Sequence, residues 1–191
     1  KKCSYDLIIR VDGDDICLPE RFENQFNYMN DNPEIVAASS HVHEFNHDLT
    51  IRLGRRSVPI NDKEILKYAK RRSPLNHPAT IFRKNYVEKV NGYPSIRNGQ
   101  DYALWSLLLV QGYKLGNQDI ELVNMRTGSG LIKRRGYDFF KKEIELLKFQ
   151  RSINFISNSE MISNLILRGF VRIQFPWIRT FFYKIIRKLD K

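Results

Sequence analysis

The 191-residue sequence has only two cysteines, Cys3 and Cys17. That is too few for a disulfide framework, and they lack the spacing of a zinc site. A reducing, cytosolic setting is the simplest expectation. No apolar run approaches the ~20 residues that span a bilayer, so no transmembrane helix is expected. Internal repeats and low-complexity stretches are also missing. No Met opens the chain and no signal-peptide pattern follows: Lys1 leads straight into a strand-like segment, as though the sequence began inside a domain. Acidic residues are scarce towards the C-terminus. Residues 1–130 carry 18 basic and 16 acidic side chains, whereas residues 131–191 carry 14 and 5, which concentrates the net charge of +11 in the last third. A strongly basic segment points to an anionic partner, either lipid headgroups or nucleic acid.

The composition that remains is globular, at 42% hydrophobic and 28% charged residues. The length suffices for one real core, since a chain of this size hides roughly 70% of its unfolded surface. Tyr5 to Val11 is an apolar, β-branched run that predicts a buried strand, ending in the loop signal Asp12-Gly13-Asp14-Asp15. Pro19 suits a first helical turn, and Glu20 to Asn30 reads as a helix with Phe22, Phe26 and Met29 on its inward stripe. Further strands are expected at Ile35–Ser40, Ala79–Phe82, Tyr113–Leu115 and Ile120–Met125, with a hairpin or loop over His41–Leu53. Helices are expected from an Asp62 cap to Arg72, over Asn85–Val90 and Asp101–Val110, and from Tyr137 onward, with a last stretch from Met161 to Leu189. Strands mixed with helices define an α/β sheet protein.

Asp12 and Asp14 flank a glycine just past the first strand. The two-residue period of extended chain lets both carboxylates face one way, Gly13 leaves the backbone open to a ligand, and Asp15 adds a third acid. Crowded carboxylates at the C-terminal end of a strand suit a hard cation, Mg²⁺ or Mn²⁺, which in turn bridges phosphates. An ordinary acidic turn is the alternative. An EF-hand is excluded, because Cys17 stands where glycine is needed and Ile16 where an oxygen ligand belongs.

The segment VDGDDICLPERFENQ resembles the Asp-x-Asp region of family 2 glycosyltransferases, in which x-Asp-x-Asp-Asp-x-x-x-Pro-x-Arg-x-x-x-Gln is typical. NHPATIFRKNYVEKVNGY followed by QDYALWSLLLVQGYKL is similar to the acceptor-side half of the same fold, and MRTGSGLIKRRGYDFFKKEIEL to the region after the catalytic helix. The resemblance covers roughly residues 3 to 150 and is nearest to bacterial enzymes of the amylovoran, capsule and O-antigen type. It implies a GT-A, Rossmann-like mixed sheet, with residues 1–130 as the C-terminal part of the catalytic domain and 131–191 as a basic helical extension. The first strands, which hold the nucleotide base, are expected upstream of Lys1. The implied roles are donor binding for Asp12, Gly13, Asp14 and Asp15, metal ligation by Asp14, and general-base catalysis by Asp101. Transfer would invert the anomeric centre, with a nucleotide-sugar donor, in all expectation UDP-linked, and a saccharide or polyprenyl-diphosphate-linked acceptor.

Two departures from the family pattern stand out. Gln100 replaces the acid often found before the base, and Met125-Arg126-Thr127-Gly128 replaces an Arg-x-His segment, so no third metal ligand is expected there.

Among other candidates, His41, His43 and His47 read as solvated hairpin residues rather than metal ligands. His77, before Pro78, is placed by the resemblance near the acceptor cleft, with loop packing as the alternative. Gln100 and Trp105 are assigned to the acceptor side, although packing suits Trp105 better than a sugar platform. Arg134 and Arg135 suit bidentate pairing with diphosphate oxygens or a solvated charge cluster. In the last stretch Arg168, Arg172 and Arg179 fall on one side of a helical wheel and Ile166, Phe170, Ile173 and Trp177 roughly opposite, with Pro176 dividing the helix. That pattern suits an anionic membrane surface, hence a peripheral position on the cytoplasmic face of the inner membrane. The alternative is a terminal helix packed on the core with a basic outer face. Two other functions compete: a truncated, inactive transferase remnant and a basic nucleic-acid-binding module. No nucleic-acid motif is present, and the aspartates would repel phosphates in the absence of metal.

Overall fold

A computed structural model describes residues 3–127 and 137–173. In chain order these form β1 (Leu7–Ile9), β2 (Ile16–Cys17), α1 (Arg21–Asp31), β3 (Ile35–Phe45), β4 (Arg52–Arg56), α2 (Asp62–Ala69), a 3₁₀ turn (His77–Ala79), β5 (Ile81–Arg83), α3 (Lys84–Lys89), α4 (Gln100–Val110), β6 (Lys114–Arg126), α5 (Tyr137–Ser152) and α6 (Asn158–Ile173). Arg134, Arg135, Trp177 and Arg179 lie outside the described residues.

The sheet runs β1-β5-β3-β6-β2, with β4 added to β3. It is mixed: β3 and β6 are parallel, and every other pairing is antiparallel. β3 is its spine. Eight consecutive residues, Ile35 to Val42, are buried, as expected of a strand covered on both faces. α1 covers one face, where Met29 and Tyr28 pack with Ile35, Ala38, Ile81, Leu7 and Ile9. α1 approaches so closely that a Cβ on Gly116 would lie 2.5 Å from Tyr28 Oη. α4 covers the other face, with Leu104, Trp105 and Leu108 against Val36, Leu75 and Leu115. It is buried nearly all round because α5 lies on its outer side, where Leu146 meets Tyr102 and Ala103. Leu147, Phe155 and Ile156 join Ala69 in a further cluster that receives Met161 and Leu165 of α6. None of the helices among the described residues is long and apolar enough to cross a membrane.

Several expectations need correction. The first strand is three half-buried residues, not a buried run from Tyr5 to Val11, because β1 pairs on one side only, with β5; Tyr5 and Val11 are exposed. The inward stripe of α1 is Arg21, Gln25 and Met29, while Phe22 and Phe26 are each 52% exposed. The two stripes are neighbours on the helix, and the polar one turns inward because every inward polar atom finds a partner. The α2 cap is Asn61, whose side chain accepts the Glu64 N–H at 3.3 Å, with Asp62 the first helical residue. The two short strands expected over 113–125 are one 13-residue strand, β6, made continuous by parallel pairing with β3 on both sides of a bulge. His41 is not a solvated hairpin residue but is 3% exposed, because β3 continues through it into the sheet centre.

Candidate functional site

Four loops meet beside the C-terminal end of β1. The first carries the aspartates. Arg10 donates to both carboxylate oxygens of Asp12, one contact being 2.6 Å, and this bidentate fork holds Asp12 in a single orientation. Asp15 turns away and accepts the Arg126 N–H at 2.8 Å, while Arg126 Nε donates to the Asp14 carbonyl at 3.0 Å. Burial pushes the Asp15 carboxyl above its ordinary range, and its neighbours Asp14 and Asp12 push the same way against the Arg126 amide. Asp15 therefore ties the loop to the end of β6, and β2 reinforces the tie by pairing with Val123 and Asn124.

The Asp14 carboxylate is the exposed one and has no hydrogen bond or ion pair among the described residues. No group of three His, Cys, Asp or Glu side chains that would enclose a metal exists among the described residues. One free carboxylate beside a second, oriented one still fits a divalent ion, because Mg²⁺ is commonly bound by one or two carboxylates together with substrate phosphates.

A second loop carries His77. Asn76, fully buried, donates to the Ser40 and Arg56 carbonyls at 2.9 and 3.0 Å, and its backbone N–H donates to Ser39 Oγ at 3.0 Å. Asn117 accepts from Ser39 Oγ and donates to the Pro59 and Pro74 carbonyls. This network anchors the loop of the half-buried His77 ring, which stands 3.3 Å from Tyr93 Oη and edge-on to Trp105. Trp105 itself is completely buried. It supports His77 from behind and presents no face to a sugar.

The third loop precedes α4. Gly99 holds φ +75° at the N-cap, and Asp101 lies in the first turn, where the helix dipole favours a carboxylate. Gln100 is exposed and donates to the Ile96 carbonyl at 2.9 Å. Burial lowers the His77 pKa; Asp101 opposes that shift, Arg10 adds to it and Asp12 opposes it. Tyr93, on the fourth loop, is raised by burial, with Arg10 and Asp101 again its charged neighbours. His77 and Tyr93 thus both have Arg10 and Asp101 as charged neighbours, and His77 also has Asp12.

Beneath the site runs a buried brace. Arg21 donates to Gln25 Oε1 at 3.0 Å, to Cys17 Sγ at 3.0 Å and to the Arg10 carbonyl at 2.7 Å, and Gln25 donates to the Ala79 carbonyl at 2.7 Å. The Arg and Gln of the quoted motif thereby join the aspartate loop to the His77 loop. Sequence reasoning assigned no role to Arg10, Tyr93, Arg126, Ser39 or Asn117. Their only signal was proximity to a motif, and except for Arg10, which pairs with Asp12, their partners lie far away along the chain.

An aspartate-bearing loop at a strand's C-terminal end, with a carboxylate opening a nearby helix, is the arrangement that the resemblance to nucleotide-sugar transferases of the GT-A type implies. Comparisons with known proteins agree. Residues 1–91 match Glycosyl transferase family 2. The chain is 31% identical over 189 residues to the amylovoran biosynthesis glycosyltransferase AmsE of Erwinia amylovora, covering 98% of this chain and 70% of AmsE. It is 38% identical to the UDP-Gal:alpha-D-GlcNAc-diphosphoundecaprenol beta-1,3-galactosyltransferase of Escherichia coli, covering 98% of this chain and 68% of that enzyme. A crystal structure of S. aureus TarS shares the fold, with a TM-score of 0.54 and 11% identity over 88% of this chain and 48% of the TarS chain. The chain belongs to glycosyl transferase family 2. These relatives favour neither the nucleic-acid module nor the inactive remnant.

Proposed function

We propose that this chain transfers a hexose from a UDP-sugar to a saccharide carried on a polyprenyl diphosphate, with inversion, in the building of a bacterial surface polysaccharide. The observation that carries the reading is that Asp101 and the Arg10–Asp12 pair both act on the charge of His77, so the helix-borne acid and the aspartate loop are neighbours of one ring. The printed activity of the Escherichia coli galactosyltransferase supports the UDP-sugar donor and the lipid-linked acceptor, and that of AmsE supports polysaccharide building.

In this reading Asp12, oriented by Arg10, and the open backbone at Gly13 receive the nucleoside end of the donor. Asp14 would hold Mn²⁺ or Mg²⁺. When bound, the ion supplies charge neutralisation for the departing diphosphate. Asp15 keeps the loop docked on β6. Asp101 takes the proton of an acceptor hydroxyl as that oxygen bonds to the anomeric carbon, and the bond from that carbon to the diphosphate oxygen breaks. His77, neutral through burial, and Gln100 position the acceptor. Arg134 and Arg135 remain candidates for the diphosphate. Work on a lipid-linked acceptor places the protein at the cytoplasmic membrane surface, reached through its C-terminal helices.

Two variants test this. UDP with Mn²⁺ raises the melting temperature of the wild type, as any ligand selective for the folded state does, and Asp14→Ala loses that shift. Asp101→Asn keeps the shift but loses transfer by about 10²–10⁴-fold, the span usual for a general base. Turnover at the wild-type rate in Asp101→Asn removes the base assignment.

A further inference from the structure

Arg126, the last residue of β6, is only partly used by the fold. Its backbone N–H goes to Asp15 Oδ1 at 2.8 Å and its side-chain Nε to the Asp14 carbonyl at 3.0 Å. The contact follows from the register of β2 on β6, where Ile16 stands opposite Asn124; two residues further along each chain come Asp14 and Arg126. The parallel partner of Arg126 is Phe45, the last residue of β3. The arginine therefore closes the C-terminal end of a parallel strand pair, the edge at which open α/β sheets bind their ligands. The Nη1 and Nη2 groups of this half-buried side chain neither donate to nor pair with any group among the described residues.

The charge balance points the same way. Asp12, Asp14 and Asp15 crowd this loop, and Arg10 spends both of its Nη groups on Asp12. Arg126 is the loop's other cation, and it keeps a guanidinium edge unclaimed while bonded to the residue whose carboxylate is free. With Nε tied to a carbonyl the guanidinium plane is set, and the two Nη groups offer the planar fork that pairs bidentately with phosphate oxygens.

We infer that Arg126 binds a diphosphate, that of the nucleotide-sugar donor, through its Nη groups. The inference rests on the donor reading proposed above and adds to it a residue for the leaving group. The bond to Asp14 favours the donor's diphosphate over that of a lipid-linked acceptor, because that reading gives Asp14 to the donor. A guanidinium keeps its charge at every working pH and offsets the negative charge that develops as the nucleoside diphosphate departs. The alternative is a clasp that only steadies the aspartate loop. It is separable, because the backbone bond to Asp15 and the pairing with β3 do not depend on the side chain.

The test is titration calorimetry of the whole chain with UDP and Mn²⁺ over a series of salt concentrations. Arg126→Gln is expected to weaken UDP binding about 10–100-fold, the scale of a lost hydrogen bond to a charged group, and to flatten its salt dependence. Arg126→Lys, which keeps the charge without the fork, recovers part of the loss. Farnesyl diphosphate, a probe for the acceptor's diphosphate, binds the wild type and Arg126→Gln alike. Circular dichroism checks the fold of each variant, and Arg126→Ala repeats the test should the glutamine disturb it. Three results overturn the inference. The first is wild-type UDP affinity in the folded Arg126→Gln variant. The second is equal weakening in Arg126→Gln and Arg126→Lys with unchanged salt dependence, which leaves only the clasp. The third is a loss confined to farnesyl diphosphate, which moves the arginine to the acceptor. The donor reading fails separately. A wild type that binds no UDP with Mn²⁺ removes both, whereas undiminished UDP–Mn²⁺ binding in Asp14→Ala removes the ion's ligand and leaves the arginine's role standing on its own variants.

Discussion

Arg21 carries its charge in the protein interior on Gln25 Oε1, Cys17 Sγ and the Arg10 carbonyl. Burial lowers its pKa, but an arginine starts so high that it stays charged. Removing it strands three acceptors and leaves a cavity under the aspartate loop. Arg21→Ala is expected to cost about 3 kcal/mol of unfolding free energy, the joint scale of a lost large side chain and unsatisfied buried polar groups. Arg21→Lys recovers only part of it, because an ammonium cannot reproduce the planar fork. Urea midpoints measure both, and a loss below about 1 kcal/mol for Arg21→Ala would refute the brace. At this scale the sequence was informative about chemistry and poor about partners. Asp12, Asp14 and Asp101 stood out by type and spacing. That Asp15 is committed to the Arg126 amide is a matter of where chain segments 111 residues apart come together.

α4 brings Asp101 to the site, and Gly99 decides its angle of entry. The left-handed φ of +75° at the N-cap suits glycine, and an added Cβ would stand 3.0 Å from Leu146 Cδ2 on α5. Gly99→Ala therefore combines backbone strain with a collision, at an expected cost of about 1–2 kcal/mol. Because the strain falls beside Asp101, turnover is expected to drop more than donor affinity does. Parallel thermal melts and kinetics check this, and an unchanged ratio of kcat to wild type would show that the turn is indifferent to the base. Most elements were legible from periodicity: α1, α2 and α4 lie within a residue or two of their expected starts. The continuity of β6 was not, since the break between its two expected halves is bridged only by β3, whose parallel pairing passes over a bulge at Asp119 and Ile120. The face of α1 was missed for a related reason. A hydrophobic stripe predicts the buried side only where polar residues find no partners inside, and Arg21 and Gln25 find several.

Across the whole molecule, three histidines share one direction. Burial lowers the pKa of His41, His43 and His77 below the ordinary imidazole value. His41 Nδ1 accepts the Val58 N–H at 3.1 Å, so Nε2 carries the proton and donates to Asp119 at 2.9 Å. Asp119 and Glu121 favour a second proton on this ring, whereas burial and Arg55 oppose it. A histidine with a lowered folded pKa binds fewer protons than it does in the unfolded chain, so stability is full above about pH 6.5 and is lost as pH falls towards the folded value. Unfolding free energy should accordingly decline from pH 7.5 to 5.5, and His41→Asn, which retains an acceptor for Val58, should make the decline shallower. A pH-independent stability over that window would contradict the buried, neutral assignment.

The sequence by itself determined the class of chemistry. Closely spaced acids after an apolar strand and a carboxylate opening an apolar helix are local patterns, written in neighbouring residues and readable through their two- and 3.6-residue periods. The tertiary structure decided which acid is tied down at a distance: Asp15 is committed to the Arg126 amide at the far end of β6, whereas Asp14 has no partner among the described residues. It likewise decided which side of α6 faces out: Arg168 and Asn164 find acceptors on the turn after α2, and the apolar residues are left to the surface.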